Sequence, residues 1–309
     1  MVTQTPVLRR AAGLLPAEPG VYRFRDAVDR VVYLGRATDL RARVRSYAGD
    51  LVDRPHLRRM VLQIGRVEAL VCASVPEAAW LERNLLQRSL PRWNRTRGGM
   101  ELVGWLVLDE EAGRPALRLA VEDAERPASA YGPYLGVERL ALARRGLLRA
   151  WPVHLAGTGL DVADRSLAEA RGVAPADLEA HVRRLRGVLR RETGAVAELR
   201  TLLDLANRAA VARLAFETAM QIQAELAAIE WLLAPQRVTG CAPGLVVGGW
   251  ADGIGFTLRS TDGRLDRWAS GQAAAAAGAR AAACTPEEWR EFAARNAELA
   301  AALGPSNCR

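Results

Sequence analysis

One carboxylate in this 309-residue sequence has apolar neighbours at helical spacing. The residues three and four positions before and after Glu82 are Ala78, Ala79, Leu85 and Leu86. Burying a carboxylate without a partner costs several kcal/mol even after relaxation. A cation should therefore meet Glu82. That cation is either an arginine, in a salt bridge, or a divalent metal ion, because hard cations prefer oxygen ligands.

Two tyrosines lie on the two arms of a predicted hairpin. Residues 21–25 alternate as a half-buried strand does, residues 26–30 form a polar turn, and residues 31–34 are rich in β-formers. Tyr22 lies on the first arm and Tyr33 on the second. A two-residue loop would pair them directly, whereas a one-residue slip would place them on opposite faces, and the sequence leaves both registers open.

Two helices must position the remaining polar groups. The first begins near Thr38 or Asp39 and buries a stripe that includes Tyr47, so its arginines point elsewhere: Arg41, Arg43 and Arg45. The second follows a strand at 67–73, begins at a capping box, carries Glu82 and ends near Leu90. The capping box consists of Ser74 and Glu77.

The positive charge is concentrated in the first third of the chain. Every basic side chain is an arginine, and 43 of them against 35 acids give a net charge of +8. Residues 1–97 hold 18 arginines and 9 acids, for +9, while residues 98–309 hold 25 arginines and 26 acids, for −1. This pattern is expected of a nucleic-acid-binding protein, because arginines on phosphates release counterions. A basic surface without a ligand gives the same count.

Cysteine and histidine spacing argues against several kinds of site. The cysteines are far apart, without a CxxC pair, and the histidines are equally scattered, so no zinc site, iron–sulfur cluster or disulfide framework is predicted. No apolar run approaches the roughly 18 residues of a membrane span, and no signal-peptide pattern opens the chain. The sequence therefore predicts a cytoplasmic protein with no membrane partner.

Taken in order, these residues resemble the GIY-YIG endonuclease motif. Its elements here are Gly20-Val-Tyr22, Tyr33-Leu-Gly35, Arg43, Glu82 and Asn94. The surrounding stretches LPAEPGVYRFRDA, VYLGRATDLRARVRSY and EAAWLERNLLQRSLPRWN read much like the domain of the bacterial excinuclease subunit UvrC and its shorter relative Cho. The resemblance implies an α/β nuclease domain over residues 1–97, a small antiparallel sheet with flanking helices.

The resemblance also implies the chemistry of one site that hydrolyses a DNA phosphodiester with a single Mg²⁺ or Mn²⁺ ion. Glu82 would hold the metal, and Tyr33 would activate or orient the attacking water. An ordinary tyrosine is only roughly 0.1% ionised at neutral pH, and a nearby metal or arginine favours the phenolate. Tyr22 would hydrogen-bond within the site, Arg43 would neutralise the scissile phosphate, and Asn94 would anchor the tail of the domain.

Two positions depart from the family pattern. Arg36 follows the YLG glycine where the family commonly has lysine, and Trp93 replaces the tyrosine before Asn94. Arginine is no proton shuttle, so activity would suffer if that position does more than supply a fixed charge. Arg36 still completes the predicted catalytic set, and it joins the predicted DNA-binding arginines: Arg36, Arg41, Arg43 and Arg45.

Three further segments follow the predicted nuclease domain. Residues 98–154 form a small α/β region whose Tyr131-Gly-Pro-Tyr134 resembles the FGPY segment of UvrC. Residues 131–200 contain no cysteine, so the iron–sulfur cluster region of those relatives is not carried over. Residues 237–309 suggest a β-meander and a closing helix. The whole is an α/β domain, a mainly α-helical region and a small C-terminal β/α segment.

Residues 155–236 form that helical region. Within it, Leu214-Ala-Phe-Glu217 resembles the UVR hairpin that joins UvrC to the helicase subunit UvrB, and Phe216 and Glu217 are the expected partner contacts. The family's Arg-Asp pair is Gln223-Ala224 here. A plain two-helix core remains the alternative.

The leading hypothesis is a metal-dependent DNA-repair endonuclease of the UvrC/Cho type. It would act on damaged double-stranded DNA, make the incision 3′ of a lesion in nucleotide excision repair, and work with a UvrB-type partner. A catalytically weakened DNA-binding adaptor is one alternative, supported by Arg36, Trp93 and the missing cysteines. A standalone GIY-YIG nuclease not recruited by UvrB is the other, supported by Gln223-Ala224.

Overall fold

The chain forms two compact units in the computed structural model, which describes residues 6–49, 55–109, 115–121, 129–239 and 241–304. The first unit combines Met1–Met100 with Pro235–Arg309, and the second is Glu101–Ala234. The segments 1–97 and 237–309, treated separately in the sequence, thus lie in one unit. The division into four domains stays a prediction.

The first part of the first unit is a three-stranded antiparallel sheet with flanking helices, in the strand order β2-β1-β3. Its elements are α1 (Pro6–Leu14), β1 (Gly20–Arg25), β2 (Val31–Ala37), α2 (Leu40–Ala48), α3 (Pro55–Val61), β3 (Arg66–Val71) and α4 (Val75–Arg88). Ser74 caps α4 by accepting a hydrogen bond from the Glu77 amide. This architecture confirms the predicted fold class.

The hairpin register differs from both expected alternatives. Tyr22 lies opposite Gly35 and Phe24 opposite Tyr33, and a bulge follows Phe24. Because side chains alternate between faces with a period of two residues, this register places Tyr22 and Tyr33 on the same face, two residue pairs apart along the ladder. Both rings pack with Tyr47 of α2 in the core of the unit.

The second unit begins with another antiparallel sheet and continues as helices. The sheet has the order β5-β4-β6. The elements are β4 (Val103–Asp109), β5 (Ala116–Val121), β6 (Ala130–Leu135), α5 (Val137–Ala150), α6 (Val162–Ala170), α7 (Leu178–Leu189), α8 (Thr193–Ala212) and α9 (Phe216–Leu233). The last two helices pack as a hairpin. No helix in the described part of the chain is long and apolar enough to span a membrane.

The last part of the chain returns to the first unit. It contains β7 (Val246–Ala251), β8 (Ile254–Thr261) and β9 (Arg264–Gly271), which form the predicted meander, followed by α10 (Ala275–Cys284) and α11 (Glu287–Leu303). Helix α11 covers the β3 edge of the β2-β1-β3 sheet. There the Asn296 side chain accepts a hydrogen bond from the Val71 amide at 2.7 Å and donates one to the Val71 carbonyl at 3.2 Å.

Two buried carboxylates join this last segment to the β2-β1-β3 sheet and its helices. Glu77 of α4 is fully buried, and its carboxylate accepts hydrogen bonds from the Arg237 guanidinium at 3.1 and 3.4 Å. Glu68 of β3 accepts a hydrogen bond from the Ser270 hydroxyl of β9 at 2.8 Å. Burial of each carboxylate is tolerated because arginines neutralise it.

Glu68 is surrounded by arginines. It pairs with Arg23, with Arg25 at 2.7 Å and with Arg66 at 3.1 Å, and the Arg23 guanidinium stacks 3.8 Å from the Trp268 ring centroid. Burial raises the pKa of Glu68, but the charges and hydrogen bonds of Arg23 and Arg25 outweigh it and lower the pKa to about 2. Glu68 is therefore ionised in the folded protein throughout the neutral range.

Glu68→Gln is expected to destabilise the first unit most at neutral pH. Because the pKa of Glu68 is lowered on folding, its contribution is fully present above the unfolded value of 4.5 and is lost as the pH falls towards 2. That contribution is about 3 kcal/mol. The difference in free energy of unfolding between wild type and variant should shrink over this window in urea titrations. A difference that does not change with pH, or one matched by Glu18→Gln at the surface, would contradict the assignment.

Candidate active site

Three phenols and one guanidinium form a cluster between β1, β2 and α2. The Tyr22 and Tyr47 hydroxyls are hydrogen-bonded at 2.7 Å, and Arg43 donates from Nε to the Tyr22 hydroxyl at 3.1 Å. Burial, reinforced by the neighbouring phenols, raises the pKa of Tyr22 well above 10 and raises that of Tyr47 as well. Both therefore stay protonated at neutral pH and serve as hydrogen-bonding groups.

Tyr33 is the accessible member of this phenol cluster. Its ring centroid lies 6.1 Å from that of Tyr22 and 6.2 Å from that of Tyr47, but Tyr33 is partly exposed whereas the other two are buried. Of the three tyrosine side chains, that of Tyr33 is therefore the one that can meet a water molecule or a substrate.

Gly35 is required by the close approach of these rings. A Cβ at this position would lie 2.7 Å from the Tyr22 hydroxyl oxygen and 2.9 Å from Cε1 of Tyr33. The neighbouring atoms belong to packed aromatic rings, which cannot move aside easily. The glycine of the YLG sequence thus lets the two tyrosines pack beside β2.

Glu82 meets the cation that its apolar surroundings require. Its Oε2 lies 3.6 Å from Nε of Arg36, with the Glu82 side chain 20% and the Arg36 side chain 32% exposed. The Arg36 guanidinium is one of the two kinds of cation predicted to meet Glu82, and the Glu82 side chain stays partly exposed.

The donor set around Glu82 is compatible with a magnesium-type ion. Among the described residues, no three His, Cys, Asp or Glu side chains lie close enough together to form a metal cage. Mg²⁺ keeps several waters and is usually bound through one or two carboxylates, so a partly exposed Glu82 suits it. A zinc-type site would need three or four nitrogen or sulfur ligands.

Asn94 fixes the free edge of β2 beside these groups. Its Oδ1 accepts a hydrogen bond from the Leu34 amide at 3.0 Å, and its Nδ2 donates to the Leu34 carbonyl at 2.7 Å. The amide of Trp93 donates to the Val32 carbonyl at 3.1 Å. Residues 93 and 94 therefore hold the strand segment that carries Tyr33 and Arg36.

The four predicted DNA-binding arginines have different surroundings. Arg43 points into the phenol cluster, and Arg36 pairs with Glu82. Arg41 donates to the Leu15 carbonyl at 2.7 Å, while Arg45 is exposed. Contact with DNA by these four side chains stays a prediction. The predicted partner-binding residues, Phe216 and Glu217, belong to the second unit.

Tyr47 is the member of the phenol cluster that the sequence did not identify as a site residue. It was assigned only to the buried stripe of α2. The available signal was its spacing four residues after Arg43, which puts both side chains on one helix face. In the structure the Arg43 guanidinium lies 5.3 Å from the Tyr47 ring centroid.

Tyr47→Phe is expected to lower the free energy of unfolding of the first unit by about 1 kcal/mol. The substitution keeps the ring but removes the hydroxyl that bonds Tyr22, and a typical buried hydrogen bond contributes this much. Urea unfolding measures the loss, with Tyr131→Phe in the second unit as the matched control. An unchanged free energy of unfolding would contradict a stabilising Tyr22–Tyr47 bond.

The geometry can be compared with known proteins. A family model described as the UvrC-like GIY-YIG domain matches residues 18–95. UvrABC system protein C of Parasynechococcus marenigrum (strain WH8102) is 32% identical over 256 residues, which is 77% of this chain and 38% of that protein. The protein of the same name from Natronomonas pharaonis is 35% identical over 149 residues, which is 45% of this chain and 24% of that protein.

A solved structure is also similar. The crystal structure of the GIY-YIG N-terminal endonuclease domain of UvrC from Thermotoga maritima, bound to its catalytic divalent cation magnesium, is 30% identical and covers 29% of this chain and 99% of that domain, with a TM-score of 0.26. The chain spans less than two fifths of the length of the curated relatives described above. Residues 18–95 thus match the family model of the UvrC-like GIY-YIG domain, and the chain is similar to UvrC proteins over up to 77% of its length.

Proposed function

We propose that this chain is a cytoplasmic, metal-dependent DNA endonuclease of the UvrC type. It hydrolyses one phosphodiester on the 3′ side of a lesion in nucleotide excision repair. One observation carries the proposal: the partly exposed Tyr33 packs against a hydrogen-bonded group of Tyr22, Tyr47 and Arg43. The strand that carries Tyr33 also carries Arg36, the partner of Glu82, and is held at its edge by Asn94. A phenol, a carboxylate and arginines are the groups that phosphodiester hydrolysis needs.

Each residue has a defined task in this proposal. Glu82 holds a single Mg²⁺ or Mn²⁺ ion, which would supply Lewis-acid stabilisation of the charge on the phosphate. Tyr33 orients the attacking water through its hydroxyl group. The buried Tyr22 and Tyr47 hold the Tyr33 ring and Arg43 in place, and the guanidinium of Arg43 stabilises the negative charge that develops on the phosphate.

The second unit offers a surface for a UvrB-type partner. At the turn between α8 and α9, Leu214 is 73%, Phe216 60% and Met220 73% exposed. Exposed apolar side chains grouped in this way commonly mark a protein-binding site. Glu217, next to these apolar side chains, would add a charged contact with the partner. The hairpin therefore supports recruitment by a helical partner, although Gln223-Ala224 replaces the family's Arg-Asp pair.

A nicking assay tests the proposal. The substrate is an end-labelled duplex with one bulky adduct, incubated with Mg²⁺ or Mn²⁺, with and without a UvrB-type protein. We expect a single cut 3′ of the adduct that needs both the metal and the partner. Cutting that ignores the partner would favour the standalone nuclease. No cutting under any of these conditions would overturn the proposal.

The adaptor remains a second candidate because of the Arg36–Glu82 pair. An arginine beside the proposed metal ligand competes with the metal for its carboxylate. The planar guanidinium matches a carboxylate well, whereas lysine is a flexible and strongly hydrated point charge. If Arg36 always kept the Glu82 carboxylate from the metal ion, the chain would bind DNA without cutting it.

Arg36→Lys is expected to lower the Mg²⁺ concentration needed for half-maximal nicking several-fold. Lysine would release Glu82 to the metal more readily while keeping one positive charge. Titration of the nicking rate with Mg²⁺ measures the shift, with Arg30→Lys at the surface as the control. An unchanged or raised Mg²⁺ requirement would contradict the competition. An inactive wild type and an active variant would establish the adaptor.

A further inference from the structure

The β8–β9 hairpin of the first unit carries three exposed arginines: Arg259, Arg264 and Arg267. Arg259 and Arg267 lie directly opposite each other on the neighbouring strands, next to a bulge. Like charges in directly opposed positions disfavour a strand pair. Such a pair is best tolerated when an anion lies between the two side chains.

The chain elsewhere provides that anion itself. In the β2-β1-β3 sheet, Arg25 also lies directly opposite Arg66. There Glu68 pairs with both, at 2.7 and 3.1 Å, and Asp29 lies 2.7 Å from Arg66. Among the described residues, neither Arg259 nor Arg267 has an ion pair or a side-chain hydrogen bond. Arg259 and Arg267 therefore lack the neutralising carboxylates that Arg25 and Arg66 have in the β2-β1-β3 sheet.

The hairpin lies beside the helix that carries Glu82. Arg264 donates to Oε1 of Gln87 at 3.2 Å, and Asp266 lies 3.9 Å from Arg88. Gln87 and Arg88 follow Glu82 by five and six residues in α4, which is about 8–9 Å along a helix axis. Phosphates on one DNA strand advance about 3.4 Å each along the duplex axis, so this distance corresponds to two or three nucleotides.

The net positive charge of the hairpin favours an anionic ligand. The hairpin's two acids are Asp262 and Asp266, and Asp266 is engaged by Arg88, so with Arg88 the group has four arginines against two acids. We propose that the β8–β9 hairpin is a second DNA-contacting element, in which Arg259 and Arg267 bind the phosphate backbone of a duplex. The inference deepens the proposed function and rests on it, because it takes DNA as the ligand.

Salt-dependent binding tests this inference. The double variant Arg259→Gln with Arg267→Gln is compared with Arg145→Gln with Arg183→Gln, two exposed arginines of the second unit, so that both proteins lose the same charge. Affinity for a duplex is measured in EDTA, which prevents cleavage. Each lost phosphate contact lowers the slope of log affinity against log salt by about 0.9. We expect a loss of about 1.8 for the hairpin variant and little change for the control.

The single variant Arg259→Gln guards against misfolding of the double variant and should lose about half as much slope. An unchanged slope in the hairpin variants, or an equal loss in the control, would overturn the inference while leaving the nicking assay intact. Conversely, the expected slope change in a protein that never cuts DNA would support the hairpin interface and overturn the nuclease proposal. The two failures are therefore distinguishable.

Discussion

Glu82→Gln is expected to lower the metal-dependent nicking rate by about 10³-fold. Glutamine keeps the size and packing of the side chain but removes the negative charge that holds a divalent cation. Loss of the cation's stabilisation of the transition state costs several kcal/mol, and about 4 kcal/mol corresponds to this factor. The Arg36–Glu82 pair is partly exposed and contributes at most about 1 kcal/mol, so the variant should fold normally.

The measurement is the nicking rate under single-turnover conditions together with DNA affinity in EDTA. Affinity should stay within about twofold of wild type, because the substitution removes no positive charge. Glu298→Gln, an exposed position on α11 of the same unit, is the matched control. A Glu82→Gln protein that still nicks within tenfold of wild type would remove Glu82 from the metal-binding role.

Arg237→Met is expected to lower the free energy of unfolding of the first unit by about 3–5 kcal/mol. The reason is not the lost attraction alone: the variant leaves Glu77 as a fully buried charge without its partner. Hydrogen exchange of the β1–β3 amides in urea would report the loss in this unit specifically. Adding Glu77→Gln to the variant removes the uncompensated charge and should restore most of the lost free energy of unfolding.

Arg295→Met provides the comparison for this prediction. Arg295 also forms an ion pair with Glu18 that joins the last segment to the first part of this unit, but its side chains are 48% and 39% exposed. An exposed pair contributes about 1 kcal/mol or less. If Arg237→Met costs no more than Arg295→Met, the buried Glu77 is not an anchor of the last segment.

Local features of the fold were predictable from the sequence. Ser74 starts α4 as expected because a serine cap bonds the amide three residues on, and α11 follows the predicted amphipathic pattern. Ser74 and the α11 pattern depend on residues close in sequence, where spacing alone determines which groups can meet. The apolar neighbours of Glu82 predicted that a cation would lie beside it, but not that this cation would be the distant Arg36.

The remaining features depend on contacts between distant residues. Glu77 was predicted to complete a capping box, but it bonds the Ala73 amide and forms its ion pair with Arg237, 160 positions along the chain. The hairpin register was undetermined because the bulge after Phe24 depends on packing with α2 and β3. The roles of the site residues stay predictions, since contact geometry does not measure catalysis.

The asparagine that caps the β3 edge has a consequence for synthesis of the protein. Asn296, like Arg237, is made after the whole second unit, yet it covers backbone groups of a strand that ends at Val71. At about 5–20 residues per second, the ribosome needs roughly 10–40 s to bring it out after Met100. During that interval β3 has an unpaired strand edge, which invites pairing with other nascent chains. A chaperone that shields this edge would therefore act while the protein is still on the ribosome.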